Sequence, residues 1–313
     1  MEKSDYIKKL YFKQWIIGLA RGDIREMIRT RNFRQDFKWI QPASSDHFYA
    51  DPFIIKGTDG EILILFEDFL INEHYGNISL MTLDRELNIT NIKVLLDTGS
   101  HLSFPFIFRE DDRIYIFPES VRSGKLSCYR FDPVLKTLIH LGDIMDANLY
   151  DPAILKFEDK YWLFGSVFER RRDYKLHIFV SESITGPYIP HRGNPVRNGL
   201  NGTRAAGDFI EVDGNIYRPA QNCAVEYGES ITLNRITALD EKRFSEEPYM
   251  TIRVNRRNMQ ENGIHNIHTL NVCDDLIVID GLKWTFSVKE QWKNFIRNRR
   301  LMRQSLAQIN PED

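Results

Sequence analysis

Carboxylates recur in this chain at the edges of apolar runs. Asp51 precedes Pro52 and the run 53–55, Glu67 and Asp68 close the run 61–66, Glu119 closes 113–118, and Asp151 again precedes a proline. Asp208 stands in a fourth such context, and His101, Arg204, Arg218, Gln221, His265 and His268 lie near the same run ends. Acids held close together repel, so their pKa values separate, which is how acid and base roles are divided between like groups. Asp51, Asp151, Glu119 and Asp208 are therefore the candidate catalytic groups. Glu67, Asp68, His101, Arg204, Arg218, Gln221, His265 and His268 are the candidate substrate-binding groups. The pattern implies no cofactor; the alternative for the same oxygens is Ca²⁺, a hard cation that takes carboxylates. His265 and His268 have no third ligand at zinc spacing, so hydrogen bonding at the site rim is their expected use. Each candidate also has a plainer role: Asp-Pro starts turns, a terminal Glu can be a solvated strand end, and Arg204 and Arg218 can pair structurally.

The elements that must position these groups repeat. Residues 49–55, a turn at 58–60 and 61–68 read as strand, turn, strand, with Asp59-Gly60 as a strong hairpin signal. The unit recurs at 103–119 and 150–165, and more weakly at 206–221 and 267–280. First-strand anchors at 52, 105, 152, 207 and 268 are spaced 47–61 residues apart, the period of a β-propeller with several strands per blade. Third strands are expected at 77–83, 125–131, 175–180 and 230–236, and fourth strands at 92–96 and 137–141. The fifth unit has no such continuation. Strands at 14–20 and 37–41 are therefore expected to pair with 267–272 and 276–282, so that the ends of the chain close the ring and remove open sheet edges. The expectation is an all-β, five-bladed propeller in one domain spanning 1–313, with closing strands and a short helix at 14–41, blades at 49–286 and a basic amphipathic helix at 288–308. In such a ring each first strand begins, and each second strand ends, on one face, which gathers the acids there.

Composition narrows the partners. Basic and acidic side chains nearly balance, 42 against 44, so no bulk attraction to nucleic acid is implied. The balance conceals a polarity: residues 1–38 carry ten basic and five acidic groups, and 288–308 carry six and one. If closure juxtaposes them, these ends form one basic surface with Trp292 and Phe295 nearby, suited to anionic lipid headgroups. The plainer outcome is a helix laid across an acidic ring. Three cysteines without paired spacing read as reduced thiols. No signal-peptide pattern or membrane-length apolar run is present, so a cytoplasmic protein, peripheral to the membrane at most, is expected. On that expectation the sequon Asn201-Gly202-Thr203 carries no weight.

Several motifs carry a resemblance. Tyr-Ala-Asp-Pro-Phe at 49–53, Phe-Pro-Glu-Ser at 117–120, Tyr-Asp-Pro at 150–152 and Arg-Pro-Ala-Gln-Asn-Cys at 218–223 resemble the five-bladed propeller at the N-terminus of plant glucosamine inositolphosphorylceramide transferases and bacterial relatives. That domain is similar in fold to the arabinanase, β-xylosidase, invertase and levansucrase superfamily. The resemblance runs from about Trp15 to Trp284. It implies that Asp51 and Asp151 match the first- and third-blade acids, the base or nucleophile and the pKa-tuning residue. The fourth-blade acid of the glycosidases has no clear counterpart, since the segment reads Arg204-Ala205-Ala206-Gly207-Asp208. Either Asp208 serves, or Glu119 takes the role, or hydrolysis is not the chemistry. A sugar alkoxide needs a proton donor to leave, whereas a phosphate leaving group does not.

Two functional expectations follow. One is a carbohydrate-active enzyme, glycosyltransferase or glycoside hydrolase, acting on a sugar, glycan or activated sugar donor in glycan or glycolipid assembly. The alternative is a non-catalytic glycan-binding or scaffold propeller serving a partner glycosyltransferase. A protein-interaction propeller is the third reading, disfavoured by the acidic rim.

Overall fold

The computed structural model describes residues 11–170 and 173–286. They form five antiparallel sheets arranged as the five blades of a propeller. Blade one holds His47–Lys56, Ile62–Leu70, Tyr75–Leu83 and Ile89–Leu96; blade two holds Ser103–Glu110, Arg113–Glu119, Leu126–Asp132 and Thr137–Met145. Blade three runs Tyr150–Phe157, Lys160–Arg170 and Asp173–Ser181, its outer edge made by the short pieces Ile189–Pro190 and Arg197–Asn198. In blade four, Asn201–Ala205 and Ile210–Val212 share the strand Asn215–Asn222, followed by Ser230–Leu239 and Phe244–Ile252. That last strand had no expectation in the sequence reading.

Blade five draws on distant parts of the chain. Ile264–Asn266 and Leu270–Cys273 pair with Leu276–Phe286, which lies antiparallel to Tyr11–Arg21 from Tyr11↔Phe286 through Arg21↔Leu276. Lys38–Ile40 flanks Tyr11–Arg21. Between these two strands the basic segment forms the helix Ile24–Thr30, capped by Asp23, whose side chain accepts the Arg25 and Glu26 N–H groups at 2.9 and 3.2 Å. The expected helix at 288–308, and with it the joint basic surface, lies outside the described residues. Among the described residues no helix is long and apolar enough to cross a membrane.

The apolar runs have a simple cause. A blade's inner strands are covered on both faces by neighbouring blades, so Ile62–Leu70 is buried from Ile62 to Asp68, while outer strand Ile89–Leu96 is largely exposed. The core therefore lies in the seams. Phe53, Leu65, Phe104, Phe106 and Phe117 fill the seam of blades one and two; Ile17, Leu19, Ile64, Phe66 and Val278 fill that of blades five and one.

The start of every first strand slips register: between Ala50 and Phe53, Ser103 and Phe106, Tyr150 and Ala153, Asn201 and Ala205, and Ile264 and Asn266. At three of these bulges Asp51, Phe104 and Asp151 take φ of 50°, 40° and 47°. A non-glycine residue in that region costs about 1–2 kcal/mol and persists only where its surroundings hold it. A bulge re-aims the side chain it carries.

The fourth blade uses glycine instead. Gly207 has φ 140°, and a Cβ there would meet the Leu270 carbonyl at 2.0 Å, where Leu270 N–H donates to Ala206 O at 2.7 Å. Gly207→Ala is expected to push blades four and five apart and cost about 3 kcal/mol or more. Urea unfolding monitored by tryptophan fluorescence measures it; a loss below about 1 kcal/mol would show that the clasp yields without cost.

Candidate functional site

The bulges and the second-strand ends meet at one end of the propeller axis. Ala50 pairs with Glu67, Ser103 with Glu119 and Tyr150 with Ser166, so the repeat delivers one position per blade to this face. A cavity of about 280 Å³ opens there. Asp51, Glu67, Glu119, His101, Arg204 and His268 line it, with walls from Trp15, Phe48, Phe69, Tyr150 and Tyr227.

Beneath the cavity the acids are bound from blade to blade. Asp51 Oδ2 accepts Phe104 N–H of blade two at 3.2 Å, and its Oδ1 accepts the Thr269 hydroxyl of blade five at 2.8 Å. Asp280, fully buried, accepts Asp51 N–H at 3.2 Å and the His268 and Thr269 N–H groups at 2.9 Å each. His268 lies between the two acids, Nδ1 2.5 Å from Asp280 Oδ2 and Nε2 3.5 Å from Asp51 Oδ1, with its ring stacked on Trp15 at 4.1 Å. Glu119 Oε2 accepts Asp151 N–H at 2.9 Å. Asp151, 1% exposed, is gripped by Arg204 through Nε at 2.5 Å and Nη2 at 2.9 Å, and Gln221 donates to it at 3.3 Å. The Arg204 guanidinium sits 5.4–5.6 Å from the rings of Tyr150, Tyr174 and Tyr227 and 3.8 Å from Glu119.

Burial dominates the electrostatics. It pushes Glu119 up to about 8, with Asp151 adding to the effect and Arg204 opposing it. It lifts Asp51 to about 6, where His268 pulls down and Asp280 and Asp151 push up. Glu67 is raised well above the usual range by burial and by its neighbours Asp51 and Glu119. Burial, with Arg122 nearby, holds His101 down at about 4, so this imidazole is neutral. Its Nδ1 accepts Gly76 N–H at 2.9 Å, which leaves Nε2 as the donor, 3.8 Å from Glu67. Burial works against the charges of His268 and Arg204, but Asp280 and Asp51 outweigh it at the first and Asp151 at the second, and both pKa values end raised.

Asp51, His268 and Asp280 also bring one donor atom each within 4.8 Å of one another, a spacing that would admit a cation. Their carboxylate oxygens already accept the backbone and Thr269 donors named above.

A family model described as "Glucosamine inositolphosphorylceramide transferase 1, N-terminal" matches residues 38–281. The chain belongs to this family. The glucosamine inositolphosphorylceramide transferase 1 of Arabidopsis thaliana is 30% identical over 279 residues, 81% of this chain and 36% of that protein. Its namesake from Oryza sativa subsp. japonica is 30% identical over 210 residues, 64% of this chain and 28% of that one. The chain thus spans about a third of the length of these plant relatives. Among solved structures, a family 117 glycoside hydrolase from Zobellia galactanivorans aligns with TM-score 0.55 at 12% identity, covering 90% of this chain and 92% of that one. A thermostable family-43 glycoside hydrolase aligns with TM-score 0.51 at 18% identity, covering 72% and 84%. At such identities the likeness is one of fold.

Within this member of the transferase N-terminal family, the sequence candidates separate by strand geometry. Asp51, Glu67, Glu119, His101, Arg204 and His268 line the cavity; Asp151 and Gln221 lie directly beneath it. Asp68 does not join them. It follows Glu67 in one strand, so its side chain takes the opposite face and pairs with His47 Nδ1 at 2.6 Å. Arg218, also 1% exposed, is a seam residue bound to Glu246 at 2.6 and 2.8 Å. Asp208 is absent from the cavity lining: its Oδ1 accepts Phe209 N–H at 2.8 Å, and burial raises it to about 7, opposed by Arg109. His265 is exposed outside the cavity.

Trp15, Phe48, Phe69, Tyr227 and Asp280 were not among the candidates. Asp280 ends the apolar run of the fifth unit, 267–280, and an acid closing such a run is the signal that could have found it. Tyr227 lies in the link between strands Asn215–Asn222 and Ser230–Leu239, where no repeat pattern reaches it.

The buried acids set a pH dependence of stability. Glu119, Asp51 and Asp208 hold protons in the folded state above their unfolded pKa values of 4.5, 3.8 and 3.8. Through these three acids the folded state binds more protons than the unfolded one between about pH 4 and pH 8, so they make stability fall as pH rises through that window, an effect that the neutral His101 opposes in part below pH 6.5. Thermal unfolding should give a lower Tm at pH 8 than at pH 5, and Glu119→Gln, neutral at both, should flatten the slope. A Tm rising over this range, or an unchanged slope in the variant, would contradict the assignment.

Proposed function

We propose that the cavity takes one sugar ring and performs acid–base chemistry at its anomeric carbon, in glycosyl transfer or glycoside cleavage. The observation that carries this reading is the pairing, in one aromatic-walled cavity, of two buried carboxyls of unequal acidity: Glu119 near 8 and Asp51 near 6. Groups split in this way serve as acid and base. Glu119, protonated at neutral pH, would give its proton to the departing oxygen. Asp51, ionised, would take the proton of the incoming hydroxyl or stabilise the cationic sugar centre. Asp151 touches no cavity space and acts through Arg204 and Glu119, as a positioning residue. The aromatic walls suit the apolar faces of a pyranose, and the neutral His101 offers Nε2–H to a hydroxyl. The family description names glucosamine and inositolphosphorylceramide for the transferases that carry this domain, which supports a sugar ligand for the cavity.

A second reading, a glycan-binding propeller that serves a glycosyltransferase, is favoured by one observation. Both Asp51 oxygens already accept hydrogen bonds from within the protein, which restrains Asp51 as a base.

The two readings part on single substitutions, assayed over a panel of glycosides and activated sugars. Asp51→Asn and Glu119→Gln should each lower turnover by about 10²–10⁴ while thermal melts still report a folded chain. Turnover that survives both changes would remove the acid–base reading, and saccharide binding with no turnover in the unmodified chain would establish the binding one.

A further inference from the structure

His101 is shared. Its ring lines the central cavity and also a second cleft of about 590 Å³, lined by Glu73, Tyr75, Asp97, Gly99, Ser100 and Arg122. This cleft lies where blades one and two meet, on the face that carries the central cavity. Glu73 comes from the turn after Ile62–Leu70, and Asp97, Gly99 and Ser100 come from the link into blade two. Arg122 follows Glu119, and its guanidinium spans the seam to the His74 carbonyl at 3.3 Å.

The wall between the two spaces is braced. Gly76 N–H holds His101 Nδ1, Leu102 N–H donates to Gly76 O at 2.8 Å, and the His101 ring packs edge-on against Phe69 at 5.7 Å. Gly76 permits this closeness: a Cβ there would stand 2.8 Å from both Glu67 Oε1 and the Leu102 carbonyl. The cleft's polar groups are also fixed. The Tyr75 hydroxyl and Gly99 N–H both donate to Asp97, which keeps that carboxyl below its ordinary range, and so ionised.

From these features we infer that the central sugar pocket continues past His101 into the blade one–two cleft, so that its ligand is a glycan of two or more units rather than a nucleotide-activated monosaccharide. The inference rests on the saccharide reading of the central pocket and specifies its substrate class. Shape and charge both enter. The cleft extends the central cavity, with hydrogen-bonding groups of both kinds: acceptors at Glu73 and Asp97, donors at Arg122 and His101 Nε2, and hydroxyls at Tyr75 and Ser100. Such a set matches the hydroxyls of a second and third sugar. Its formal charge is two carboxylates against one guanidinium, with His101 neutral. A diphosphate entering there would face two carboxylates against one guanidinium, a like-charge juxtaposition that disfavours it. A neutral or amine-bearing sugar meets no such penalty.

Calorimetric titration of the full chain tests this. The probes are β-linked gluco-, galacto-, xylo- and glucosamine oligosaccharides of one to four units, together with UDP and UDP-glucose. Affinity should rise by about tenfold between one unit and two or three in the series that fits. Tyr75→Phe and Arg122→Ala should each shrink that gain without lowering the affinity of the single unit, and UDP-glucose should bind no tighter than glucose. Three results would overturn the inference: no gain with chain length, a gain that survives both substitutions, or tighter binding of UDP-glucose than of glucose. A separate arm isolates the central pocket. If Phe48→Ala, which removes an aromatic wall of the central cavity, leaves single-unit affinity intact, the pocket reading itself fails, whereas loss of the length gain in the Tyr75 and Arg122 variants concerns the cleft alone.

Discussion

Five sheets meeting at an axis leave backbone N–H groups at their strand ends facing one another across seams, out of reach of a sheet ladder. In this protein side-chain carboxylates supply several of the missing acceptors. Asp51 receives the N–H of Phe104, Glu119 that of Asp151, and Asp280 those of Asp51, His268 and Thr269. Arg204 binds blade four to blade three through Asp151, and Asn271 of blade five reaches the Pro52 carbonyl at 2.8 Å. An unpaired buried N–H costs about 1–3 kcal/mol, so each of these acids removes a penalty as well as joining two blades. The bulge that aims Asp51 and Asp151 at the axis is held by the same contacts, which is why its left-handed backbone persists.

This arrangement ties the chemistry of the site to its architecture. A carboxylate buried to accept backbone donors is also one whose ionised form has lost water, and Glu119 and Asp51 are raised by burial before any neighbour acts. The two acids differ because their surroundings differ. Asp51 has His268 beside it, while Glu119 faces Asp151, whose charge is largely met by Arg204 in a two-pronged grip. A group in this ring cannot be replaced for function alone: breaking a buried ion pair from one side is costly because it strands the other charge. Conservative amide replacements, which keep the shape and one of the two acceptor oxygens, are therefore the informative ones.

Much of this was legible in the chain. The Asp-Pro at 51 and 151, the apolar runs behind them and the Asp-Gly and Asp-Asp turns repeat with enough regularity to count five blades. Alternation along a strand then places Glu67 and Glu119 on the axis side. The same rule, applied one residue further, puts Asp68 on the opposite face, where His47 meets it. Arg218 was harder to place, since a strand arginine looks the same in sequence whether it serves a ligand or a seam; Glu246, two strands away in the same blade, is what claims it. Tyr227 and Trp15 reach the cavity from a link and from the far end of the chain, and neither stands in a repeat.

What the sequence by itself determined is most of the blade strands, the blade count and the strand-end positions of Asp51, Glu67, Glu119 and Asp151, because strand alternation, turn residues and repeat length are local properties. Which acids share a cavity, and in what state of charge, only the tertiary structure decided. Desolvation and Coulomb interaction depend on distances between residues that are far apart in the chain: Asp51 and Asp280 are separated by 229 positions, and Asp151 and Arg204 by 53, yet each pair is in contact. Those distances arise only when the five sheets close around one axis, so the site exists as a property of the ring rather than of any blade.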